Sequence, residues 1–404
     1  MYKRQGTDWH TVLVGGLSGG GRGLYALDIT NPNPFSESSP TTVPMWEFDS
    51  SDDADLGLTY SQPTIIKLNN DEPGVIVGNG YNNTGSGQSA LIILNAETGA
   101  LIRKLQTGVG SAGTPNGLST PAVIDVDGNG TADFAYAGDL RGNVWKFDLT
   151  DSNSGSWAVD FAGAPLFAAQ DAGGLAQPIT TAIEVSRHPS GGVIVLFGTG
   201  KYIEATDVTS ATTQSLYGVR DNNVTVAGRA ALVQQTVMET KTVLGKVYRA
   251  VSANVINWAS FSGWYIDLPD SGERVVVDPI LRNGRLIVPT TVPSTDPCAV
   301  GGYSWLMEVD YLTGRRLDVA AFDVDQNSQV SNSFDEVSFA TAGAMQASGV
   351  RLDAIGSTPS IVRGFGDDGN LENKYLNQST GGIARVLESG EPLSNRRMSW
   401  RQIR

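Results

Sequence analysis

The stretch Asp133-Phe-Ala-Tyr-Ala-Gly-Asp-Leu-Arg-Gly-Asn-Val-Trp-Lys-Phe-Asp148 contains two short apolar runs separated by a polar, glycine-containing turn. Each run has the length of a β-strand, and the second run alternates aromatic and aliphatic residues before it ends in aspartate. The stretch therefore predicts two β-strands joined by a short loop.

The same pattern occurs four more times, as residues 11–16 with 23–28, 74–80 with 90–95, 193–198 with 215–221, and 285–290 with 304–310. The first four copies along the chain begin roughly 60 residues apart, a period typical of propeller blades or solenoids. Single strands such as Leu91 to Leu94 are apolar on both faces, which suits blades that pack against two neighbours. The sequence predicts an all-β chain folded as a modified, irregular β-propeller of seven blades, with a single domain over residues 1–404.

Two features of the chain depart from a simple repeat. Residues from about 335 to 355 have a helix-compatible composition, which predicts a helical insertion. Thr11 to Val14 already have the pattern of a strand close to the first residue. We therefore expect the chain to be a fragment of a longer protein, and the resemblance given below implies that it is the C-terminal fragment.

The composition excludes several classes of function. The chain has 28 lysines and arginines against 42 aspartates and glutamates, a formal net charge of −14. This balance argues against nucleic acid as a partner and leaves no polybasic patch for anionic lipid. Cys298 is the only cysteine, so neither an intrachain disulfide nor a thiolate-rich metal site is possible. No apolar run reaches the roughly 18 residues of a membrane span, so no membrane insertion is expected.

The segment 125–133 has the ligand spacing of a calcium loop. An EF-hand loop takes oxygen ligands from positions 1, 3, 5, 7 (a backbone carbonyl) and 9, and needs glycine at position 6. Those ligand positions are Asp125, Asp127, Asn129, the carbonyl of Thr131, and Asp133, and position 6 is Gly130. Position 12 is Tyr136, within a predicted strand, so the loop is EF-hand-like without being an EF-hand. We predict one Ca²⁺ site on these five residues; a solvated Asp/Gly-rich turn is the alternative.

A second acidic stretch matches the same template only in part. Asp323, Asp325 and Asn327 occupy positions 1, 3 and 5, but position 6 is Ser328 and position 9 is Ser331. A weak or degenerate cation site and an ordinary surface loop both stay open. Asp367, Asp368 and Asn370 have the pattern of an ordinary turn.

Enzyme-like motifs are incomplete, and no catalytic residue is predicted. Ser18 lies in a G-x-S-x-G string, but a glycine run and a strand follow it where a nucleophile elbow needs a helix. Gly200-Lys201 resembles the end of a phosphate-binding loop whose other conserved positions are Val195 and Tyr202. Only two histidines are present, which argues against a histidine-based zinc or iron site.

Several segments in order along the chain resemble the C-terminal domain of the PilC/PilY family of type IV pilus biogenesis factors and tip adhesins. These segments are residues 9–16, 23–30, 125–148, 197–202, 216–221 and the ending Arg397-Met-Ser-Trp-Arg401. The resemblance implies a modified β-propeller in which one loop binds calcium, and it places the ligands on the same five positions, Asp125 to Asp133. No Arg-Gly-Asp tripeptide occurs; the nearest string is Arg141-Gly142-Asn143.

The resemblance also implies a function. It indicates a non-enzymatic, secreted protein at the pilus tip or outer membrane, the fimbrium, whose calcium occupancy regulates pilus extension against retraction. Expected roles are twitching motility, cell adhesion, surface attachment and virulence, and expected partners are the minor pilins of the type IV pilus and the host-cell surface. Two alternatives are a quinoprotein-type dehydrogenase propeller, against which the single cysteine argues, and a generic calcium-stabilised or integrin-like adhesion propeller.

Overall fold

Short β-strands form nearly all of the regular structure. The computed structural model describes residues 2–5, 8–31, 43–296, 301–364 and 370–390. Cys298, Asp367, Asp368 and the ending Arg397 to Arg401 lie outside the described residues. The chain divides into two compact units, Met1–Ala168 and Ala169–Arg404. The single domain over 1–404 and the count of seven blades stay predictions.

The described residues of unit 1 form three sheets, in which most strands pair with their neighbours along the chain. The first sheet has the order β1 (Tyr2–Gln5), β2 (Asp8–Gly16), β3 (Gly23–Asp28), β4 (Pro44–Asp49). The second has the order β5 (Thr64–Lys67), β6 (Pro73–Gly78), β7 (Gln88–Asn95), β8 (Leu101–Gly110). The third contains β9 (Ala122–Ile124), β10 (Phe134–Gly138) and β11 (Asn143–Asp148), with β12 (Ala158–Val159) and β13 (Phe167–Ala168) both paired to β11. Two 3₁₀ turns, Ser154–Ser156 and Phe161–Gly163, follow β11. Such antiparallel meanders are the architecture of propeller blades.

Burial in unit 1 confirms the predicted strands. The pairs β2–β3, β6–β7 and β10–β11 are antiparallel, as the repeated pattern predicts. Leu91 to Leu94 in β7 are fully buried, so this strand packs through both of its faces. Trp145 and Phe147 of β11 belong to the same core cluster as Leu91. The two-sided apolar strands thus form the core of the unit.

In unit 2, the part of the chain that the structure describes forms two large sheets and two small ones. The first large sheet has the order β14 (Glu184–Arg187), β15 (Val193–Gly198), β16 (Ser215–Asp221), β20 (Gly263–Asp267), β17 (Val233–Gln235). The second has the order β18 (Val237–Val243), β19 (Lys246–Val251), β26 (Gly349–Leu352), β23 (Gly302–Asp310), β22 (Arg285–Pro293), β21 (Ile280–Arg282). The small sheets are β24 (Glu336–Phe339) with β25 (Gly343–Gln346), and β27 (Ser360–Arg363), β28 (Leu371–Asn377), β29 (Ile383–Ser389). The 3₁₀ turns are Ala205–Thr209 and Arg229–Ala231.

The sheets of unit 2 confirm the last two predicted strand pairs and add irregular pairings. β15–β16 and β22–β23 are antiparallel. β17 pairs in parallel with β20 at the edge of the first large sheet. Only Thr236 separates β17 from β18, which forms the edge of the second large sheet, so one continuous segment contributes to both sheets.

The predicted helical insertion at about 335–355 is wrong. The segment forms β24, β25 and β26, and burial alternates along β24, where Val337 and Phe339 are buried and their neighbours are exposed. This period of two is the pattern of a half-buried strand. Gly343, the first residue of β25, has φ 79° and follows the turn that reverses the chain after β24. The helices within the described residues are short 3₁₀ turns, and none of them could span a membrane.

Candidate metal centre

The predicted calcium loop is the connection between β9 and β10 in unit 1. The two strands are antiparallel, with Phe134 opposite Ile124, and the Asp133 amide donates a 2.9 Å hydrogen bond to the Ile124 carbonyl. The Asp133 carbonyl in turn accepts from the amide of Leu149, just after β11. Both ends of the loop are therefore fixed by the third sheet.

Backbone amides of the loop point at its first two carboxylates. Asp125 accepts hydrogen bonds from the amides of Gly128 (2.5 Å) and Gly130 (2.8 Å). Asp127 accepts from the Asn129 amide at 2.9 Å. Gly128 and Gly130 have φ of 84° and 91°, a left-handed conformation that glycine adopts without steric cost. The glycines thus allow the chain to wrap around the side chain of Asp125.

The last two predicted ligand positions are the most buried. Asp133 is 5% exposed and accepts hydrogen bonds from the amides of Val126 (2.7 Å) and Asp127 (3.4 Å). Thr131 is 8% exposed and directs its amide and its hydroxyl to the Asn129 side-chain oxygen. All five predicted residues therefore belong to one hydrogen-bonded turn.

Three negative charges converge in this turn. One carboxylate oxygen from each of Asp125, Asp127 and Asp133 lies within 4.8 Å of the other two. In the part of the chain that the structure describes, no lysine or arginine forms an ion pair with any of them. Burial alone would raise the pKa of Asp125, but hydrogen bonds from the Gly130 and Gly128 amides outweigh it and lower that pKa.

The donor set fits a hard cation. It comprises three carboxylates, the amide oxygen of Asn129 and the backbone carbonyl of Thr131, all of them oxygen ligands of the kind that Ca²⁺ takes six to eight at a time. Water would complete the shell. Mg²⁺ fits less well, because it keeps several of its waters and seldom uses an all-protein loop.

Asn69 connects the loop to the second sheet and was not predicted from the sequence. Its side-chain oxygen accepts a 2.7 Å hydrogen bond from the Thr131 hydroxyl, and its Nδ2 donates to the carbonyls of Ala132 (2.8 Å) and Leu149 (3.0 Å). A parallel bridge between Lys67 and Thr131 lies beside this contact. Because Asn69 is 62 residues from Thr131, no local motif could reveal it.

A second acidic cluster lies in unit 2, and the structure adds a residue to it. Asp323 and Asp325 approach Asp335, again with one carboxylate oxygen of each within 4.8 Å of the others. Asp335 is 2% exposed and accepts from the amides of Val324 (2.6 Å) and Asp325 (3.3 Å). It thus occupies the place that Asp133 holds in the first loop. The nine-position template assigned this place to Ser331, whose amide instead donates to Asp335 at 2.7 Å.

The second loop repeats the backbone path of the first with less suitable residues. Asp323 accepts from the amides of Asn327 and Ser328, both at 3.1 Å. Gln326 and Ser328 have φ of 59° and 69°, where the first loop has glycines. Burial raises the pKa of Asp323, and the charges of Asp335 and Asp325 raise it further. In the second cluster, burial and like charges therefore outweigh the amide hydrogen bonds to Asp323, whereas in the first loop the amide hydrogen bonds to Asp125 outweigh burial.

The discounted enzyme motifs have ordinary structural surroundings. Ser18 is exposed at φ 52° in the turn between β2 and β3, so no helix follows it. Lys201 pairs with Glu204 (2.9 Å) and Asp207 (3.3 Å). The structure gives neither side chain the surroundings of a nucleophile or of a phosphate site.

Comparison with known proteins identifies the family. The family model described as the PilY1 β-propeller domain matches residues 1–246. This chain belongs to the PilY1 β-propeller family. The type IV pilus biogenesis factor PilY1 of Pseudomonas aeruginosa is 38% identical over 371 residues, which cover 82% of this chain and 31% of the relative. A PilY1 homologue of Xylella fastidiosa is 39% identical over 326 residues, covering 76% of this chain and 22% of the relative. The chain thus spans less than a third of the length of these curated relatives.

A solved PilY1 structure confirms the fold. The crystal structure of the P. aeruginosa PilY1 C-terminal domain matches with a TM-score of 0.80 and 32% identity, covering 97% of this chain and 83% of that one. The prediction of an all-β chain with a β-propeller fold is therefore confirmed. The relatives are named as pilus biogenesis factors.

Proposed function

We propose that the chain is a non-enzymatic, calcium-binding propeller of a type IV pilus biogenesis factor. The observation that carries the calcium proposal is the loop of residues 125–133, in which five oxygen ligands share one hydrogen-bonded turn. Membership of the PilY1 family supports the assignment to the pilus. The proposed location is the cell surface, at the pilus tip or the outer membrane.

Calcium would bind one carboxylate oxygen from each of Asp125, Asp127 and Asp133. Asn129 would add its side-chain oxygen and Thr131 its carbonyl. The ion would change the net charge of the loop from −3 to −1. It would thereby remove the mutual repulsion of three carboxylates that no lysine or arginine of the described chain offsets. The glycines permit the backbone path that brings the five ligands together.

The effect of calcium would extend beyond the loop. Thr131 is bonded to Asn69, and Asn69 holds Ala132 and Leu149. Ordering the loop therefore also stabilises the contact between the second and third sheets of unit 1. On the outer side, Val126, Asp127 and Asn129 are exposed, so calcium fixes the shape of a surface available to a partner.

We propose that the minor pilins of the type IV pilus contact a surface that calcium orders in this way. Occupancy would then bias the pilus between extension and retraction, which affects twitching motility and surface attachment. A ligand shifts such an equilibrium only by its difference in affinity for the two states. The proposal therefore requires that the partner binds the calcium-loaded and calcium-free forms with different affinities.

A structural role for the ion is the second candidate. The burial of Asp133 and Thr131 favours it, because an ion held by buried ligands can remain bound throughout the life of the protein. Calcium would then stabilise an adhesion propeller without regulating it. The two candidates predict the same binding and different pilus behaviour.

Calcium titration of the chain tests the site. We expect calorimetric binding of one ion and a rise in thermal stability, both lost in Asp125→Ala. Asp71→Asn is the charge control, because Asp71 lies in the same unit with its side chain 88% exposed. Absence of binding up to millimolar calcium in the unmodified chain would exclude the proposal.

Regulation needs the full-length protein in its host cell. We expect Asp125→Ala to leave folding and export intact while altering pilus retraction. If that variant is exported and the pili retract normally, the ion is structural and the regulatory proposal fails.

A further inference from the structure

Four asparagines of the chain are followed directly by glycine: Asn79, Asn116, Asn129 and Asn283. In such a pair the backbone nitrogen of glycine can attack the side-chain amide of asparagine, because glycine has no Cβ to hinder the approach and moves freely. The surroundings of each pair decide whether this reaction proceeds in the folded protein. They differ sharply among the four sites.

The amide of Asn129 is activated at its oxygen. The Thr131 amide donates to Asn129 Oδ1 at 2.7 Å, and the Thr131 hydroxyl shares its single proton between this oxygen and the side-chain oxygen of Asn69. Attack on the amide carbon places negative charge on this oxygen. Two donors aimed at an oxygen that gains charge stabilise the transition state, as in an oxyanion hole.

Gly130 has open space at the position of a Cβ, and its amide lies beside a proton acceptor. The Gly130 amide donates to Asp125 Oδ2 at 2.8 Å, and no atom lies within 4 Å of the position that a Cβ would occupy at Gly130. The leaving group, Asn129 Nδ2, donates to Asp127 Oδ2 at 3.1 Å. Asn129 itself is exposed, so water can reach the product.

We propose that Asn129 is a site of spontaneous deamidation promoted by its own loop. The Gly130 nitrogen bonds to Asn129 Cγ, the bond from Cγ to Nδ2 breaks, and the amide proton of Gly130 leaves with the nitrogen as ammonia. The product is a five-membered succinimide. One water then opens the ring, at Cγ to give aspartate or at the backbone carbonyl to give isoaspartate. Water is the only co-reactant, and no oxidant or reductant takes part.

Two of the other pairs are protected by packing. Asn79 and Asn116 are fully buried, and Asn79 makes hydrogen bonds through both its oxygen and its nitrogen. A Cβ at Gly80 would lie 2.0 Å from the Leu58 carbonyl oxygen, and one at Gly117 would lie 2.0 Å from the Gly80 carbonyl oxygen. These glycines lack the free space of Gly130.

Asn283 is the matched comparison. It lies in the turn between β21 and β22 at φ 53°, and it is half-buried. Its only side-chain hydrogen bond within the described part of the chain runs from Nδ2 to the Gly390 carbonyl at 3.1 Å. Its side-chain oxygen therefore lacks the two donors that Thr131 supplies to Asn129.

Deamidation of Asn129 would change the geometry and the charge of the loop of residues 125–133. The consequence for calcium binding rests on the proposed calcium function. Isoaspartate at position 129 adds one carbon to the backbone path, so the Thr131 carbonyl and Asp133 move out of register with Asp125. Aspartate at the same position raises the charge of the loop from −3 to −4. Calcium would slow the reaction, because the bound ion would hold the Asn129 side chain and the loop backbone in the ligand geometry and so hinder the approach of the Gly130 nitrogen to Cγ.

Peptide mapping by mass spectrometry tests the proposal on the full chain, incubated at neutral pH with a chelator. We expect Asn129 to convert faster than Asn283 and the buried pairs to stay unchanged. The ratio of the Asn129 rate to the Asn283 rate should also exceed the same ratio in the urea-denatured chain. Equal ratios in the folded and denatured chains would overturn the proposal.

Thr131→Val removes the hydroxyl, and with it the hydrogen bonds to Asn129 and Asn69, and keeps the carbonyl that the calcium site needs. We expect conversion of Asn129 to slow about fivefold, as the loss of one hydrogen bond of ordinary strength predicts. An unchanged rate in a folded variant would refute the activation by Thr131. The deamidation proposal and the calcium proposal can fail separately. If the chain binds no calcium but Asn129 converts as described, the proposed calcium function is refuted and the deamidation site is retained.

Discussion

Glu184 should make the stability of unit 2 depend on pH near neutrality. The pKa of Glu184 is raised from 4.5 to about 7, mainly by burial; a hydrogen bond from the Leu281 backbone opposes the rise and the charge of Asp278 adds to it. Asp278 is held beside β14 by the Ala182 amide at 2.8 Å. The Glu184 carboxyl is therefore protonated in the folded protein under conditions in which the unfolded chain ionises it.

The sign and size of the effect follow from linkage. Where the folded state binds more protons than the unfolded state, stability falls as pH rises, here between about pH 4.5 and pH 7. Each pKa unit corresponds to about 1.4 kcal/mol, so the full effect would be about 3 kcal/mol. The side chain of Glu184 is only partly buried, so water screens part of the effect. We therefore expect the unfolding free energy to change by about 2 kcal/mol across this pH range.

Glu184→Gln tests this reasoning. Glutamine keeps an oxygen for the Leu281 amide but cannot ionise, so the variant should gain about 2 kcal/mol over the unmodified chain at about pH 8 and nothing at about pH 4. Urea denaturation across this range measures the difference. Glu336→Gln, on the exposed side of β24, is the control and should show no such trend. A difference between Glu184→Gln and the unmodified chain that stays constant with pH would refute the assignment.

Three further predictions follow from other contacts. Calcium at about 100-fold above its Kd should raise the unfolding free energy by about 2.7 kcal/mol, and Asp125→Ala should lose this gain in thermal melts made with and without chelator. Glu239 accepts hydrogen bonds from the amides of residues 340–342, so Glu239→Ala should speed hydrogen exchange at those amides; unchanged exchange would contradict the contact. Arg249 and Glu273 form a fully buried ion pair, so Arg249→Met should cost about 3–5 kcal/mol in denaturant unfolding by leaving the carboxylate unpaired. The double variant Arg249→Met with Glu273→Gln should recover part of that loss. If its loss of unfolding free energy instead equals the sum of the losses in the two single variants, the result would argue against the pairing.

The parts of the fold that the sequence predicted are those coded locally. All five repeated strand pairs form as antiparallel neighbours, because the two strands of each pair are consecutive along the chain and a single connection joins them. The geometry of the proposed calcium loop is also coded locally. Its five ligand positions and both glycines lie within nine residues, so the spacing alone brings the oxygens together.

What the sequence did not predict depends on distant residues or on competing signals. Asp335 closes the second acidic loop twelve positions after Asp323, beyond the reach of a nine-residue template. Asn69 meets Thr131 only after two sheets have formed. The error at 335–355 arose because the composition of this alanine-rich segment favours helix, whereas the burial of Val337 and Phe339 against the core selects strand. Tertiary packing overrides intrinsic propensity in such cases.

The segment from Val233 to Val243 acts as a mechanical coupling between two sheets. Since only Thr236 lies between β17 and β18, tension applied along this segment reaches both sheet edges at once, and neither edge can peel away without loosening the other. Thr236 is itself fixed from both sides, donating to the Ser252 hydroxyl and accepting from the Ser252 amide, each at 2.9 Å. Force on this segment would therefore be resisted by the hydrogen bonds of both sheets, loaded in shear. An inserted sequence would be tolerated better at the exposed turn of Leu244 and Gly245 than anywhere between Val233 and Val243.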